Sequence, residues 1–120
     1  MIIELFNLPK VSLNSWYSGK HWSIRKRLKD NYTLIVKSQF KDVFTKLQYY
    51  HVNYIFEFKN KPLDASNCVA MVKLIEDIIF EDDKFDIVTK LSIESKKGKC
   101  DKVTIFVTIP ENEHDNTPFN

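Results

Sequence analysis

Three aspartates at the two ends of one predicted helix are the residues of this sequence best suited to chemistry. Asp64 stands just before a helix that the apolar spacing predicts from about 66 to 80, and Asp82 and Asp83 follow that helix. The helix is too long for its ends to meet, but a β-α-β arrangement at a sheet edge is expected to bring them together. Carboxylates gathered in this way repel one another unless a divalent cation neutralises them. Mg²⁺ suits such a site, because it prefers carboxylate and water oxygens and also binds phosphates.

The same residues also have ordinary structural interpretations. Asp64 and Ser66 are both favoured at a helix N-cap, which is the preferred explanation from periodicity alone. The acidic pair that follows the helix is also typical of a solvated turn. Lys73 and Asp77, four residues apart, are compatible with an exposed ion pair on the helix as well as with a catalytic role.

Basic residues concentrate in two short segments, although the net charge of the chain is only +2. A basic run at a helix start is a solvated face by default, but the backbone N–H groups there also attract phosphate, which favours contact with a DNA backbone. His21 is interpreted as a phosphate contact, because no second His or Cys lies at zinc spacing. The two clusters are Lys20, His21, Arg25, Lys26, Arg27 and Lys29, and then Lys96, Lys97, Lys99 and Lys102.

The elements that must position these residues follow from the hydrophobic spacing. Steps of three and four residues predict two helices, and alternation predicts strands, of which the last two are expected to pair as a hairpin. The result is an α+β fold of order β-α-β-α-β-β, with two helices packed on a four-stranded mixed sheet. The predicted segments are strand 2–6, loop 9–20, helix 22–46, strand 50–59, helix 66–80, strand 87–93, hairpin connection 95–102 and strand 103–109. The second helix has Val69, Val72, Ile75 and Ile79 on one face and Asn67, Ala70, Lys73 and Asp77 on the other.

Length and composition are typical of one globular domain. At 120 residues, with 43% hydrophobic and 28% charged residues, the chain is expected to form a single domain over 1–110 and a disordered acidic tail over 111–120. No apolar run approaches the roughly 20 residues that cross a bilayer, and the two cysteines favour a reduced intracellular compartment. Neither a Ser-His-Asp order nor a Gly-rich phosphate loop stands out, which argues against a protease or a nucleotide hydrolase.

Five motifs follow one another in order over residues 9–109. They are an N-terminal pattern (Pro9, Ser12, Asn14 and Tyr17, then HWxxRKxxK at 21–29), LDASN at 63–67, MVKLIED at 71–77, EDD at 81–83 and KKGK at 96–99. No single motif is specific, but their combination resembles the RusA family of Holliday junction resolvases in its phage-encoded form. The RusA-like fold is the α+β arrangement predicted above.

The resemblance implies a homodimeric endodeoxyribonuclease that uses Mg²⁺, or Mn²⁺ in its place, to cut branched DNA in recombination and repair. It implies no membrane partner, no nucleotide cofactor and a cytoplasmic location, that of a bacterial host if the chain is phage-encoded. By position in the motifs, the implied catalytic residues are Asp64, Asp83 and Lys73, and the implied metal ligands are Asp64, Asp83, Asp82 and Ser66. The implied DNA contacts are His21, Arg25, Lys26, Lys29, Asn67, Lys96, Lys97 and Lys99.

Two positions depart from the family's pattern. Ser66 stands where the family's DxDN motif has its second aspartate, so that a hydroxyl replaces a charged metal ligand. Lys73 lies three residues further from Asn67 than the family's lysine does. An alternative expectation is therefore a junction-binding protein of the same fold with impaired catalysis. A third is a phage accessory protein that uses the fold to bind another protein.

Overall fold

Alternating apolar residues build the strands of one mixed sheet, and apolar stripes hold the helices against it. The computed structural model describes residues 1–17, 22–45, 48–81 and 87–110. Its elements are β1 (Ile2–Phe6), α1 (Leu13–Tyr17), α2 (Trp22–Gln39), β2 (Tyr50–Phe58), a 3₁₀ helix (Ala65–Cys68), α3 (Val69–Ile79), β3 (Val88–Lys97) and β4 (Lys102–Thr108).

The sheet has the order β1-β4-β2-β3. Strand β4 runs antiparallel to both of its neighbours, whereas β3 runs parallel to β2. This confirms the predicted α+β class with a four-stranded mixed sheet. In β2 every second side chain, from Tyr50 to Phe58, is buried, and the side chains between them are half-buried on the opposite face. Such a pattern follows from the two-residue period of a strand that has its core on one side.

The predicted hairpin between the last two strands is wrong. β2 lies between β3 and β4, and the connection from Lys97 to Lys102 crosses the C-terminal end of β2. There the Gly98 N–H donates to the Phe58 carbonyl at 2.9 Å. A Cβ at position 98 would lie 2.8 Å from the Glu57 Cβ, so glycine is needed for this close approach. Alternation identifies a strand but not its partner, and the helix between β2 and β3 is the kind of crossover that a parallel pair requires.

The first long helix is shorter than predicted. It ends at Gln39 rather than near 46, although apolar residues continue at helical spacing. Phe44 instead forms a bridge with Phe80, and its ring lies 5.1 Å from the Phe80 ring and 5.3 Å from the Tyr50 ring, centroid to centroid. An aromatic cluster therefore explains the apolar residues that follow α2, and residues 46 and 47 lie outside the described part of the chain.

Two further differences concern short helices. The segment predicted as a loop contains α1, whose first turn is held by the Ser15 N–H donating to the Ser12 hydroxyl at 3.0 Å. The second predicted helix begins as the 3₁₀ turn and continues as α3. Ala70, predicted to lie on its outer side, is buried, because α3 packs against α1 and α2 as well as against the sheet. The buried residues of α3 are Ala70, Met71, Val72, Leu74, Ile75 and Ile79.

One apolar cluster unites the layers. Tyr32 and Val36 of α2, Tyr54 of β2 and Ile75 of α3 are all fully buried in it. The Tyr32 hydroxyl donates to the Pro9 carbonyl, which ties the segment after β1 to the middle of α2. Within the described segments, no helix is both long enough and apolar enough to cross a membrane.

Candidate nucleic-acid interface

Three helices converge on a groove that carries two lysines and a tryptophan. Trp16 comes from α1, Lys29 from α2 and Lys73 from α3, and all three line the groove together with Asp77. Both lysines are exposed, so their ammonium groups are accessible to a ligand. The rest of the lining is apolar and consists of Leu13, Val69, Ala70 and Leu74. The structure thus brings a predicted DNA contact, Lys29, and a predicted catalytic residue, Lys73, to one surface.

Arg25, another predicted DNA contact, is half-buried beside Trp16. Its guanidinium carbon lies 5.5 Å from the centroid of the Trp16 ring, within the range of a cation–π interaction. The Arg25 Nε–H is buried and has no hydrogen-bond acceptor among the residues that the structure describes. Arg25 therefore holds the indole in place and adds positive charge next to the groove.

Lys26 is engaged within its own helix. Its ammonium nitrogen lies 3.1 Å from an Asp30 carboxylate oxygen, one helical turn away, and both side chains are more than 60% exposed. An exposed pair of this spacing contributes about 0.3–0.5 kcal/mol. The pair is weak enough for a phosphate to displace the carboxylate, so Lys26 is still accessible as a DNA contact.

The turn that presents Asp64 is anchored by Lys10. The Lys10 ammonium donates to the carbonyls of Asn60 at 3.0 Å and Lys61 at 2.8 Å, and it lies 5.7 Å from the centroid of the Phe58 ring. Lys61 has a positive φ of 40°, which turns the chain at this point. Sequence reasoning missed this anchor, because nothing in the local pattern connects Lys10 with a turn some 50 residues later.

Asp64 begins the 3₁₀ turn without acting as a side-chain cap. Its backbone carbonyl accepts the N–H groups of Asn67 at 2.9 Å and Cys68 at 3.2 Å, but its carboxylate makes no capping hydrogen bond. Asp64 and Ser66 are exposed, and Asn67 is half-buried. The carboxylate is therefore not committed to the cap that the periodicity favoured, and it can serve a cation.

The second basic cluster lies at the same end of the sheet as Asp64. The Ser95 hydroxyl donates to the Leu63 carbonyl, which ties the end of β3 to the residue before Asp64. The last two residues of β3 are lysines, and a third follows in the connection to β4. All three are exposed: Lys96, Lys97 and Lys99.

Three predicted site residues, His21, Asp82 and Asp83, lie outside the described residues. The described residues on either side of the acidic corner are fixed by backbone hydrogen bonds. The Glu81 N–H donates to the Phe44 carbonyl at 2.8 Å, and the Ile87 carbonyl accepts the Tyr50 N–H at 2.7 Å.

Glu81 and Asp64 therefore lie at opposite ends of the crossover. Ile87 lies beside Tyr50, the first residue of β2, whereas Leu63, next to Asp64, is bonded to Ser95, which pairs with Phe56. The six strand steps from Tyr50 to Phe56, of about 3.3 Å each, amount to about 20 Å. A parallel crossover starts its second strand beside the start of the first. It thus separates the residues that flank its helix, contrary to the expectation that it would bring them together.

The described residues supply only part of a Mg²⁺ site. Among them, no group of three or more His, Cys, Asp or Glu side chains is placed to hold a metal ion. Mg²⁺ commonly binds through one or two carboxylates, several waters and the phosphates of the substrate. Asp64 fits one of those carboxylates, and the exposed Ser66 hydroxyl could hold a metal-bound water.

Glu76, on α3 between Lys73 and Asp77, is a half-buried carboxyl. Burial raises its pKa above the ordinary 4.5, Lys73 lowers the pKa and Asp77 raises it again. One Glu76 carboxyl oxygen and the Tyr54 hydroxyl are both buried, and the interaction of the carboxyl with this hydroxyl lowers the pKa of Glu76 again. This carboxyl therefore couples α3 to pH rather than providing a ligand for phosphate.

In comparisons with known proteins, the chain matches no family model, no curated protein and no solved structure. The resemblance to the RusA family rests on the motifs given above, and the chemistry of the site rests on the positions of its residues.

Proposed function

We propose that the chain binds branched DNA, in particular four-way junctions, as a homodimer, and that it cuts this DNA in a Mg²⁺-dependent reaction. The groove between α1, α2 and α3 is the main observation that supports the DNA-binding part of this proposal. Lys29, Lys73 and Trp16 are far apart in the sequence but line one surface, and Arg25 adds a charge beside them.

Such a groove suits a phosphate backbone better than base edges. Lysine is a point charge that contacts phosphate without reading sequence, and phosphate contacts fix the position of a protein on DNA. Lys96, Lys97 and Lys99 are exposed and add positive charge at the Asp64 end of the sheet. A second copy is part of the proposal, because symmetric cuts across a junction require two sites related by a two-fold axis.

The cleavage half assigns Asp64 to a Mg²⁺ ion, with Ser66 contributing through water. Asp82 and Asp83 follow Glu81, which lies at the opposite end of the crossover, so this ion is not assigned to them. When bound, the ion would stabilise the charge that develops on the phosphodiester. Lys73 is exposed beside the phosphate groove, and its ammonium group would bind a phosphate oxygen or the leaving group. Asn67, within the 3₁₀ turn, would help to position the DNA strand.

Binding and cutting are tested separately on one labelled four-way junction. In EDTA, Lys29→Ala and Lys73→Ala are expected to weaken binding equally for junctions of different sequence, as phosphate contacts do. Lys41→Ala serves as the matched control, because Lys41 is an exposed lysine beyond the C-terminal end of α2. Groove variants that bind as tightly as the unaltered chain would refute the proposed interface.

With Mg²⁺ added, cutting is expected, and Asp64→Asn is expected to abolish it while it preserves binding. A nick that persists in this variant would contradict the assigned carboxylate. Activity that does not depend on a divalent cation would contradict the Mg²⁺ assignment.

A second candidate is a junction-binding protein that does not cut. The positions of Glu81 and Asp64 at opposite ends of the crossover favour it, as does the serine at position 66. Tight binding to the junction with no product in Mg²⁺ or Mn²⁺ would establish this function instead. Absence of binding to any DNA would leave the accessory-protein interpretation.

A further inference from the structure

Strand β3, the ten residues from Val88 to Lys97, forms one edge of the sheet in the described part of the chain. One side of β3 pairs with β2, and within residues 1–17, 22–45, 48–81 and 87–110 no strand pairs with the other side. An exposed edge presents N–H and C=O groups that another strand can pair with. Leu91 in the middle of this edge is 44% exposed, whereas its strand neighbour, Val52, is buried.

The side chains of β3 divide between the two faces of the sheet. Leu91 lies opposite Val52 and Ile93 opposite Tyr54, so these two belong to the face that carries the helices. The residues between them belong to the open face, where the Ser92 hydroxyl donates to the Asn53 side chain at 2.7 Å. The open-face residues in the centre of the strand are Lys90, Ser92 and Glu94.

We propose that a second copy of this chain pairs antiparallel with β3, with Ser92 opposite the partner's Ser92 on the two-fold axis. Lys90 then lies opposite the partner's Glu94, and Glu94 opposite the partner's Lys90. On the other face, Leu91 lies opposite the partner's Ile93. The two sheets join into one continuous sheet whose helices all lie on the same side.

Charge and face select this register. A continuous sheet requires open-face residues to meet open-face residues, which leaves only shifts by two positions. Moving the dyad from Ser92 to Ile93 places Lys90 opposite the partner's Lys96, and moving it to Leu91 leaves Lys90 opposite the partner's Ser92. Opposite charges stabilise a cross-strand pair and like charges destabilise it. The Ser92 register therefore forms both ion pairs and also covers Leu91.

The choice of a second copy of the chain as the partner of β3 rests on the homodimer of the proposed function. It does not depend on DNA binding or cleavage. Its test is therefore made without DNA. A negative result in this test would not contradict DNA binding in the groove between α1, α2 and α3. Loss of DNA binding in the groove variants would likewise not contradict the β3 interface.

The first measurement is sedimentation of the full chain over a range of concentrations. The unaltered chain is expected to form a dimer. Lys90→Glu is expected to raise the dissociation constant of this dimer by at least about tenfold, because Glu then faces the partner's Glu94. Glu94→Lys is expected to do the same. The double variant Lys90→Glu/Glu94→Lys exchanges the charges and is expected to restore the dimer to within about threefold.

Lys41→Glu controls for the change in net charge and is expected to leave the dimer intact. A chain that is monomeric at all concentrations would overturn the proposal. A dimer that is indifferent to both single variants would overturn the interface, as would a double variant no better than the singles.

The second measurement tests the register by cross-linking in a Cys100→Ser background, since Cys100 is an exposed thiol. Ser92→Cys is expected to give a disulfide-linked dimer, because directly opposite residues of antiparallel strands have Cα atoms about 4.5–5.5 Å apart. Lys90→Cys is the matched control on the same face, and it should not cross-link because its counterpart is the partner's Glu94. Cross-linking of Lys90→Cys but not of Ser92→Cys would refute this register.

Discussion

At the scale of single residues, Glu76 links the stability of α3 to pH. Burial raises its pKa above 4.5, so the folded chain holds this proton more tightly than the unfolded chain. As pH rises above 4.5 the unfolded state ionises first and is stabilised. The free energy of unfolding that Glu76 contributes is therefore lost between pH 4.5 and the raised pKa.

Glu76→Gln removes this ionisation. The variant is expected to gain stability relative to the unaltered chain as pH rises from 4 to 7, because over this range the unaltered chain loses the contribution of its neutral Glu76 carboxyl. Urea denaturation at several pH values measures the difference, and Asp42→Asn, which alters an exposed carboxylate in a loop, is the control. A difference that does not change with pH would show that Glu76 is not the titrating group.

The residue at position 66 determines whether a second carboxylate lies beside Asp64 in the proposed Mg²⁺ site. Ser66→Asp places a second carboxylate within the 3₁₀ turn beside Asp64, where added ligand charge is expected to strengthen Mg²⁺ binding by about tenfold or more. Calorimetric titration with Mg²⁺ measures this, and the junction assay reports whether cutting increases with it. Ser66→Ala removes the hydroxyl that would hold a metal-bound water and is expected to weaken Mg²⁺ binding, and equal affinities in all three proteins would exclude position 66 from the site.

The sequence predicted the secondary structure and exposure of these residues better than it predicted their neighbours in the folded chain. An exposed Asp64 before a helix and an exposed Lys73 on its outer face follow from the motif and the helical period. The pairing of Lys73 with Trp16 and Lys29 depends on how three helices pack, which no local pattern encodes. For the same reason, the separation of Asp64 from Glu81 could not be predicted, because it depends on the strand order of the sheet.

At the scale of elements, the connection between β3 and β4 depends on one glycine. Gly98→Ala places a Cβ 2.8 Å from the Glu57 Cβ, an atom close to the β2 backbone that cannot swing away. Overpacking of this kind is expected to lower the free energy of unfolding by about 1–3 kcal/mol. Urea denaturation measures the loss. Lys99→Ala, an exposed change in the same connection, is expected to stay within about 0.5 kcal/mol of the unaltered chain. If the two variants are equally stable, the close approach does not constrain the connection.

The elements themselves were predicted where one periodicity dominated. The alternation in β2 gave its bounds to within one residue, and the structure buries every second side chain of this strand, as that period requires. The period gave no warning that α2 stops at Gln39, because Phe44 continues the helical spacing while it packs against Phe80. It also gave no sign that β2 separates β3 from β4, since strand order arises from long-range packing.

At the scale of the whole molecule, the arrangement of charge argues for a polyanion as the partner. The chain carries 18 Lys and Arg against 16 Asp and Glu, so its net charge exerts little attraction by itself. The groove and the Lys96–Lys99 segment concentrate positive charge locally, and Asp64 adjoins the latter. Local fields of this kind act over about a Debye length, which is about 10 Å at 0.1 M salt.

The salt dependence of DNA binding counts the phosphate contacts that this arrangement makes. The logarithm of the binding constant falls linearly with the logarithm of salt concentration, with a slope of about −0.9 for each phosphate neutralised on duplex DNA. Removing both groove lysines in Lys29→Ala/Lys73→Ala is therefore expected to make the slope shallower by about 1.8, measured by fluorescence anisotropy between 50 and 200 mM salt. Lys41→Ala should leave the slope unchanged. A double variant that loses affinity at every salt concentration with an unaltered slope would mean that the lysines support the fold of the groove rather than contact phosphate. The slope therefore distinguishes a structural role of the two lysines, in the packing of the three helices, from the electrostatic role on which the proposed DNA binding depends.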